Sequence, residues 1–182
     1  MGKSGRLVHR MAYDALFVAL YAVLGYFTIP ITDNVRFSFA GAVLFAAGLY
    51  YGPVDSVIIS VLGEFLLQLS GPYGLSPTTP LWCLPPLFRG LVVGIAELLY
   101  RKKGSHLEEH LLSYALCFAL GSLLTTFANT GVIYLDGMIM DYPVEYTYIT
   151  MLIRIGVSLA SCAVSAFLVY PLIRALRKSQ IQ

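Results

Sequence analysis

Charged side chains are scarce in this chain, since Asp, Glu, Lys and Arg make up 12% of its 182 residues. A soluble domain carries about 25%. Hydrophobic residues reach 58%, and the mean hydropathy is +0.75. The composition therefore excludes a soluble globular domain and predicts a membrane protein. Aromatics interleaved with repeated Lys and Arg are also missing, so nucleic acid is not an expected partner.

Cysteines are few and the common catalytic motifs are absent. The three cysteines form no CxxC or CxxH spacing, so we expect neither a disulfide framework nor a zinc site. The chain has no GxSxG elbow and no phosphate loop ending in GK[ST]. The HLEEH segment at 106–110 matches the HxxEH zinc-peptidase pattern only formally, because Ser105 and Glu108 fit a helix capping box. We therefore predict no enzyme, no metal and no cofactor.

Six apolar runs predict helices that enter or cross a bilayer. They extend from about Met11 to Ile31, Phe37 to Tyr51, Val54 to Leu69, Leu84 to Tyr100, Leu111 to Leu135 and Tyr148 to Leu176. Between the third and fourth runs lies a proline-rich stretch that cannot be continuous helix. Because six spans use most of the chain, we predict a single all-α, six-helix membrane domain over residues 1–182.

Three clusters of basic residues predict the topology. They are Lys3, Arg6 and Arg10 before the first span, Arg101 to Lys103 after the fourth, and Arg174, Arg177 and Lys178 at the end of the sixth. The positive-inside rule places all three clusters, and both termini, in the cytoplasm. We therefore expect a multi-pass protein of the cell membrane.

Three further arginines, Arg36, Arg89 and Arg154, fall near the outer ends of the second, fourth and sixth spans. Charged groups inside a membrane usually face the protein interior and have a partner, and a guanidinium matches a carboxylate bidentately. Glu64, in the outer half of the third span, is placed either to pair with one arginine or to contact a ligand. We expect at least one arginine to bind an anionic solute; the alternative is that all three pair or snorkel.

Aromatic residues of the outer loops are candidates for stacking on a flat ligand ring. Tyr73, Trp82 and Tyr146 are the ones we place in the site. Trp82 is the best situated, because it belongs to the proline-rich loop and such loops commonly gate a site. The alternative is an aromatic belt at the membrane interface.

Small residues form a stripe on the first span. Close approach of another helix is easiest along such a surface. The stripe serves either to pack against the protein's own helices or to dock a separate membrane subunit. The same two alternatives apply to Gly41 and Gly48 on the second span. The stripe consists of Ala12, Ala15, Ala19 and Ala22.

Four sequence blocks together resemble a known family. They are MAYDALFVALYAVL, NVRFSFAGAVLFAAGLYYGP, VLGEFLLQLSGPYG and LPPLFRGLVVGIAELLYRK. In this order and spacing they resemble the substrate-binding S components of energy-coupling factor (ECF) transporters, the vitamin importers of bacteria and archaea. The likeness is greatest to the folate and pantothenate group, in which an R-[IF]-S-F entry to span two and a GP ending are usual.

The resemblance implies a vitamin-binding protein without an ATPase of its own. Such a protein docks, here through Ala15 and Ala19, onto a transmembrane coupling (T) subunit that two ATPase subunits drive. Toppling in the bilayer then delivers the vitamin inward, and the loop between spans three and four acts as a gate over the outward pocket.

We favour folate as the substrate, because several arginines and aromatics suit a ligand with two carboxylates and a flat ring. Pantothenate, a queuosine precursor and cobalamin stay open, since the chain has Gly63-Glu64 where the folate-type pattern commonly has Gly-Asp. Cys83 is the feature that suggests cobalamin. A stand-alone secondary transporter is the rival from another class, although the two three-helix halves share no repeat.

Overall fold

The computed structural model describes residues 3–32, 35–71, 74–141 and 148–181, and they form six long helices with a small hairpin. In chain order the elements are α1 (Lys3–Tyr26), β1 (Thr28–Thr32), β2 (Val35–Ser38), α2 (Ala40–Tyr50), α3 (Pro53–Leu69), the single turn α4 (Thr79–Trp82), α5 (Leu84–Lys102), a 3-10 turn (Leu107–Glu109), α6 (Leu111–Met140) and α7 (Tyr148–Ile181). The all-α, six-helix prediction is confirmed.

The six long helices differ in how much of a bilayer they can cross. Four segments are long and apolar enough to span it: Val8–Tyr26, Thr79–Lys102, Leu111–Met140 and Ile149–Lys178. Helix α2 has only 11 residues, hence a length of about 16 Å against a hydrocarbon core of about 30 Å. Nearly all of its residues are buried, as is usual for a helix that is apolar on every side. The bundle therefore encloses α2.

The connection between α1 and α2 corrects the predicted span boundaries. The first helix ends at Tyr26 rather than Ile31, and the second begins at Ala40 rather than Phe37. Between them β1 and β2 pair in antiparallel fashion, with Pro30 opposite Arg36. The physical reason is local: proline has no N–H to continue a helix, and the β-branched residues around Pro30 favour extended backbone.

Helix α6 begins at Leu111 as predicted, whereas the turn before it and its end differ from expectation. The predicted capping box of Ser105 and Glu108 is wrong, because the backbone N–H of His106 donates to Glu109 Oε2 at 3.3 Å. The helix continues past Leu135 to Met140 and ends where Asp141 adopts a left-handed backbone with φ of 55°.

The core is built where α2 approaches α5 and α6. A Cβ on Gly48 would lie 2.7 Å from the carbonyl oxygen of Gly90, so only glycine permits this approach of α2 to α5. One turn earlier on α2, Phe45 stacks on Phe118 of α6, with 4.0 Å between ring centroids. Of the two alternatives for Gly48, the structure therefore shows packing against the protein's own helices rather than a surface free for a separate subunit.

All three basic clusters lie at one end of the bundle. Arg10 of α1 donates from Nε to both carboxylate oxygens of Asp55 at the start of α3, at 3.0 Å each. Arg101 of α5 and Arg177 of α7 both contact Glu97, at 2.7 and 2.8 Å. This shared end agrees with the predicted topology, while the side of the membrane stays a prediction.

Candidate functional site

A polar pocket of about 310 Å³ opens at the end of the bundle away from the basic clusters. Strand β2 and helices α5, α6 and α7 form its wall. The lining residues are Val35, Arg36, Ser38, Arg89, Thr125, Thr126, Asn129, Arg154, Val157, Ser158 and Ser161. The pocket therefore unites all three arginines that the sequence singled out, and no acidic residue of the described chain is in its wall.

Each arginine reaches the pocket from a different element. Arg36 lies on β2 and is exposed at the rim, whereas Arg89 and Arg154 project from the second turns of α5 and α7. Arg154 is 8% exposed and Arg89 is half-buried. Because the hairpin and both helix starts meet at one end of the bundle, residues far apart in sequence converge here.

Arg89 carries an unsatisfied donor. Its Nε is buried and has no hydrogen-bond partner in the described part of the chain, where it also forms no ion pair. A buried donor without a partner costs free energy, about 1–3 kcal/mol and more for a charged group. An acceptor on a bound molecule would remove that cost.

The hydroxyl groups of the wall are already committed as donors. Thr125 Oγ1 donates to the Gly121 carbonyl at 2.8 Å, and Thr126 Oγ1 donates to the Ser122 carbonyl at 3.0 Å. Ser158 and Ser161 likewise donate to backbone carbonyls, at 3.2 Å each. A hydroxyl has one proton and two lone pairs, so these oxygens are left as acceptors. The pocket offers guanidinium donors for an anion and hydroxyl acceptors for O–H or N–H groups.

The sequence did not single out these hydroxyl residues, although a signal was present. Thr125 and Asn129 are four residues apart on α6, and Ser158 and Ser161 follow Arg154 by one and two helical turns. Polar side chains at this spacing on an apolar helix share one face with the arginine.

Glu64 and Trp82 lie outside the pocket wall. Glu64 accepts hydrogen bonds from the Tyr21 hydroxyl at 2.7 Å and from Gln68 Nε2 at 3.1 Å. Its expected pairing with Arg89 or Arg154 is not formed in the described chain. Trp82 is half-buried in α4. Tyr73 and Tyr146 lie outside the described residues, so their place in the site stays a prediction.

At the opposite end, a buried acid holds several elements together. Glu97 Oε1 accepts from Arg101, Arg177 and His106, the last at 2.9 Å. Arg177 also contacts Glu108 at 2.6 Å. The ligand atoms of Glu97, His106 and Glu108 lie within 4.8 Å of one another, as a metal site would require. Two guanidinium groups already neutralise both carboxylates, however, so a divalent cation would have to displace them.

The alanine stripe of α1 faces away from the protein. Ala12, Ala15 and Ala19 are exposed, and Ala22 is half-buried. The protein's own helices therefore leave most of this surface uncovered, whereas Gly41 is buried and packs against Arg89.

The chain is similar to known proteins over almost its whole length. The family model described as "ECF-type riboflavin transporter, S component" matches residues 6–178. A solved S component of a bacterial ECF transporter superposes with a TM-score of 0.69 at 16% identity, covering 97% of this chain and 99% of that one. The S component for biotin from an ECF-type ABC transporter gives 0.64 at 17% identity, with 98% and 95% covered. No curated protein matches the chain in sequence. At these identities the two structures establish the shared fold alone.

Proposed function

The chain belongs to the family of ECF-type riboflavin transporter S components, and we propose that its arginine pocket captures an anionic water-soluble vitamin at the outer face of the cell membrane. The observation that carries this proposal is the convergence of Arg36, Arg89 and Arg154 on one pocket whose described wall contains no acid. Among them, Arg89 has a buried Nε without a hydrogen-bond partner in the described chain, and a buried cationic donor favours an anionic acceptor.

The hydroxyl acceptors narrow the chemistry of the ligand. An acid that also carries O–H or N–H donors would complement the guanidinium groups and the Thr and Ser oxygens at once. Folate, our favoured substrate, and pantothenate both have this combination. Aromatic side chains are missing from the described pocket wall, and this gives pantothenate more support than the sequence did. Neither the folate and pantothenate grouping nor folate itself is confirmed by the comparisons.

Riboflavin is the second candidate, because the matching family model is named for it. Its hydroxyls and imide N–H suit the acceptor oxygens of the wall. It has no anionic group for three arginines, and this is why we rank it behind an acid.

The energy for uptake would come from partners. By the family's organisation, we expect a T subunit and two ATPase subunits, with the exposed Ala15 and Ala19 surface as the docking site. A stand-alone secondary transporter would instead move solute in vesicles that lack these partners. The family assignment supports a transport component and not an enzyme.

Binding of matched ligand pairs tests the proposal. The detergent-purified protein is first unfolded and extracted so that mass spectrometry identifies any vitamin that copurifies. Isothermal titration then measures folate, pantothenate, biotin and riboflavin, with each acid paired with its neutral amide. We expect one acid to bind and its amide to bind at least about tenfold more weakly, as for loss of a charged hydrogen bond. Binding of riboflavin alone, or equal binding of acid and amide, would overturn the anion proposal.

A further inference from the structure

The second residue of α2 is a glycine whose missing side chain leaves room for Arg89. A Cβ built on Gly41 would overlap Nη1 of Arg89 and lie 3.1 Å from Cζ and 3.4 Å from Cδ. On the other side, a Cβ on Gly121 would lie 3.3 Å from the Arg89 Cα. Gly121 on α6 thus lies against the backbone of Arg89, whereas Gly41 on α2 lies against its guanidinium.

Backbone conformation does not require glycine at position 41. The residue lies in the first turn of α2 and is not among the glycines with positive φ, so alanine suits the helical backbone there at least as well as glycine. Gly48 differs, because its Cβ would meet the backbone of Gly90 and Gly94. At Gly41 the obstacle is the far end of a flexible side chain. A methyl group here would therefore move the guanidinium without forcing the helices apart.

We propose that Gly41 is a positioning residue that fixes where the Arg89 guanidinium sits in the pocket, and so contributes to affinity for acids. This inference rests on the proposed function, since it takes Arg89 as a ligand-binding group. A side chain at position 41 would displace Nη1, and the buried Nε beside it would no longer point at the same place.

The Gly41→Ala variant separates positioning from folding. We expect thermal unfolding in detergent at the same or a higher temperature than the wild type, and about tenfold weaker binding of the acid that the titration panel identifies among folate, pantothenate and biotin. Gly131→Ala is the matched control, because nothing lies within 4 Å of a Cβ at that helical position. It should leave affinity unchanged. Unchanged affinity in Gly41→Ala would overturn the inference.

A double-mutant cycle shows whether Gly41 acts through Arg89. In an Arg89→Ala background, Gly41→Ala should change affinity by no more than about twofold, since the displaced group is gone. An equal loss in both backgrounds would mean a general packing effect and would overturn the inference. If Arg89→Ala alone binds every panel acid as the wild type does, the ligand role of Arg89 fails instead. A crystal structure of Gly41→Ala then decides the geometry, and an unmoved guanidinium would contradict the positioning role.

Discussion

The Tyr21 hydroxyl of α1 donates a 2.7 Å hydrogen bond to the Glu64 carboxylate of α3. This contact joins two helices through a buried polar pair and engages the one acid expected beside the arginines. Arg89 forms no ion pair with Glu64 or with any other acid of the described chain. Because Glu64 lies outside the pocket wall, the buried Arg89 Nε is left without a partner in the described chain.

Removing the Tyr21 hydroxyl should affect stability more than binding. Tyr21→Phe leaves a Glu64 oxygen without its donor, and we expect the free energy of unfolding to fall by about 1–3 kcal/mol. Thermal unfolding in detergent measures this loss, and titration should give wild-type affinity. Glu64→Gln is the control, because an amide keeps a hydrogen bond to Tyr21. A large loss of affinity in Tyr21→Phe would instead place Glu64 in the binding site.

Each pocket arginine should contribute separately to binding. Replacing Arg36, Arg89 or Arg154 by Ala removes a charged hydrogen-bond donor, and we expect a loss of about 1.5–3 kcal/mol, or about 10- to 150-fold in Kd. The matched control is Arg174→Ala, which removes an exposed guanidinium lying 4.6 Å from the Tyr170 ring centroid, in the basic cluster at the end of α7. Isothermal titration with the vitamin that the protein binds measures Kd for the three variants and for the control. If all three variants bind as the wild type does, the anion site does not exist.

The contribution of the wall's hydroxyl acceptors to binding should also be measurable. Thr126→Val keeps the shape of the side chain and removes the lone pairs, so we expect a loss of about 0.5–1.5 kcal/mol in binding if the ligand donates to it. Thr130→Val is the control on the same face of α6, since Thr130 donates to the Thr126 carbonyl at 2.9 Å and lies outside the pocket wall. Equal effects in the two variants would show a change in helix packing rather than a lost ligand contact.

Glu97, the buried acid at the end of the bundle opposite the pocket, should contribute strongly to stability. Glu97→Ala leaves the Arg101 guanidinium without its carboxylate and Arg177 with Glu108 alone, and breaking a buried pair costs about 3–5 kcal/mol. Thermal unfolding in detergent should therefore shift strongly downward. Glu109→Ala serves as the control, because Glu109 is exposed and, among the described residues, its carboxylate accepts only from the His106 backbone N–H, at 3.3 Å. If both variants are equally stable, the network does not hold these helices together.

The sequence predicted the positions of the arginines better than their surroundings. Charge placement and span direction were enough to bring Arg36, Arg89 and Arg154 to one end. The partner of Glu64 was not predictable, because Tyr21 lies 43 residues away on another helix and no local pattern joins the two. The hairpin was missed for a different reason: TIPIT continues an apolar run, so hydropathy alone does not separate its extended backbone from the helix before it.

The alanine surface of α1 provides a test of docking that is independent of the ligand. Ala15→Trp and Ala19→Trp place bulk on an exposed surface, so stability and vitamin binding should stay at wild-type values. If the T subunit docks here, close helix approach is blocked, and ATP-driven uptake should fall by at least about tenfold in vesicles that contain the complete transporter. The control is Leu168→Trp, which adds similar bulk at an exposed position of α7. Uptake that falls equally in the control would indicate general disturbance of the bilayer contact, and uptake that persists in both alanine variants would place the docking surface elsewhere.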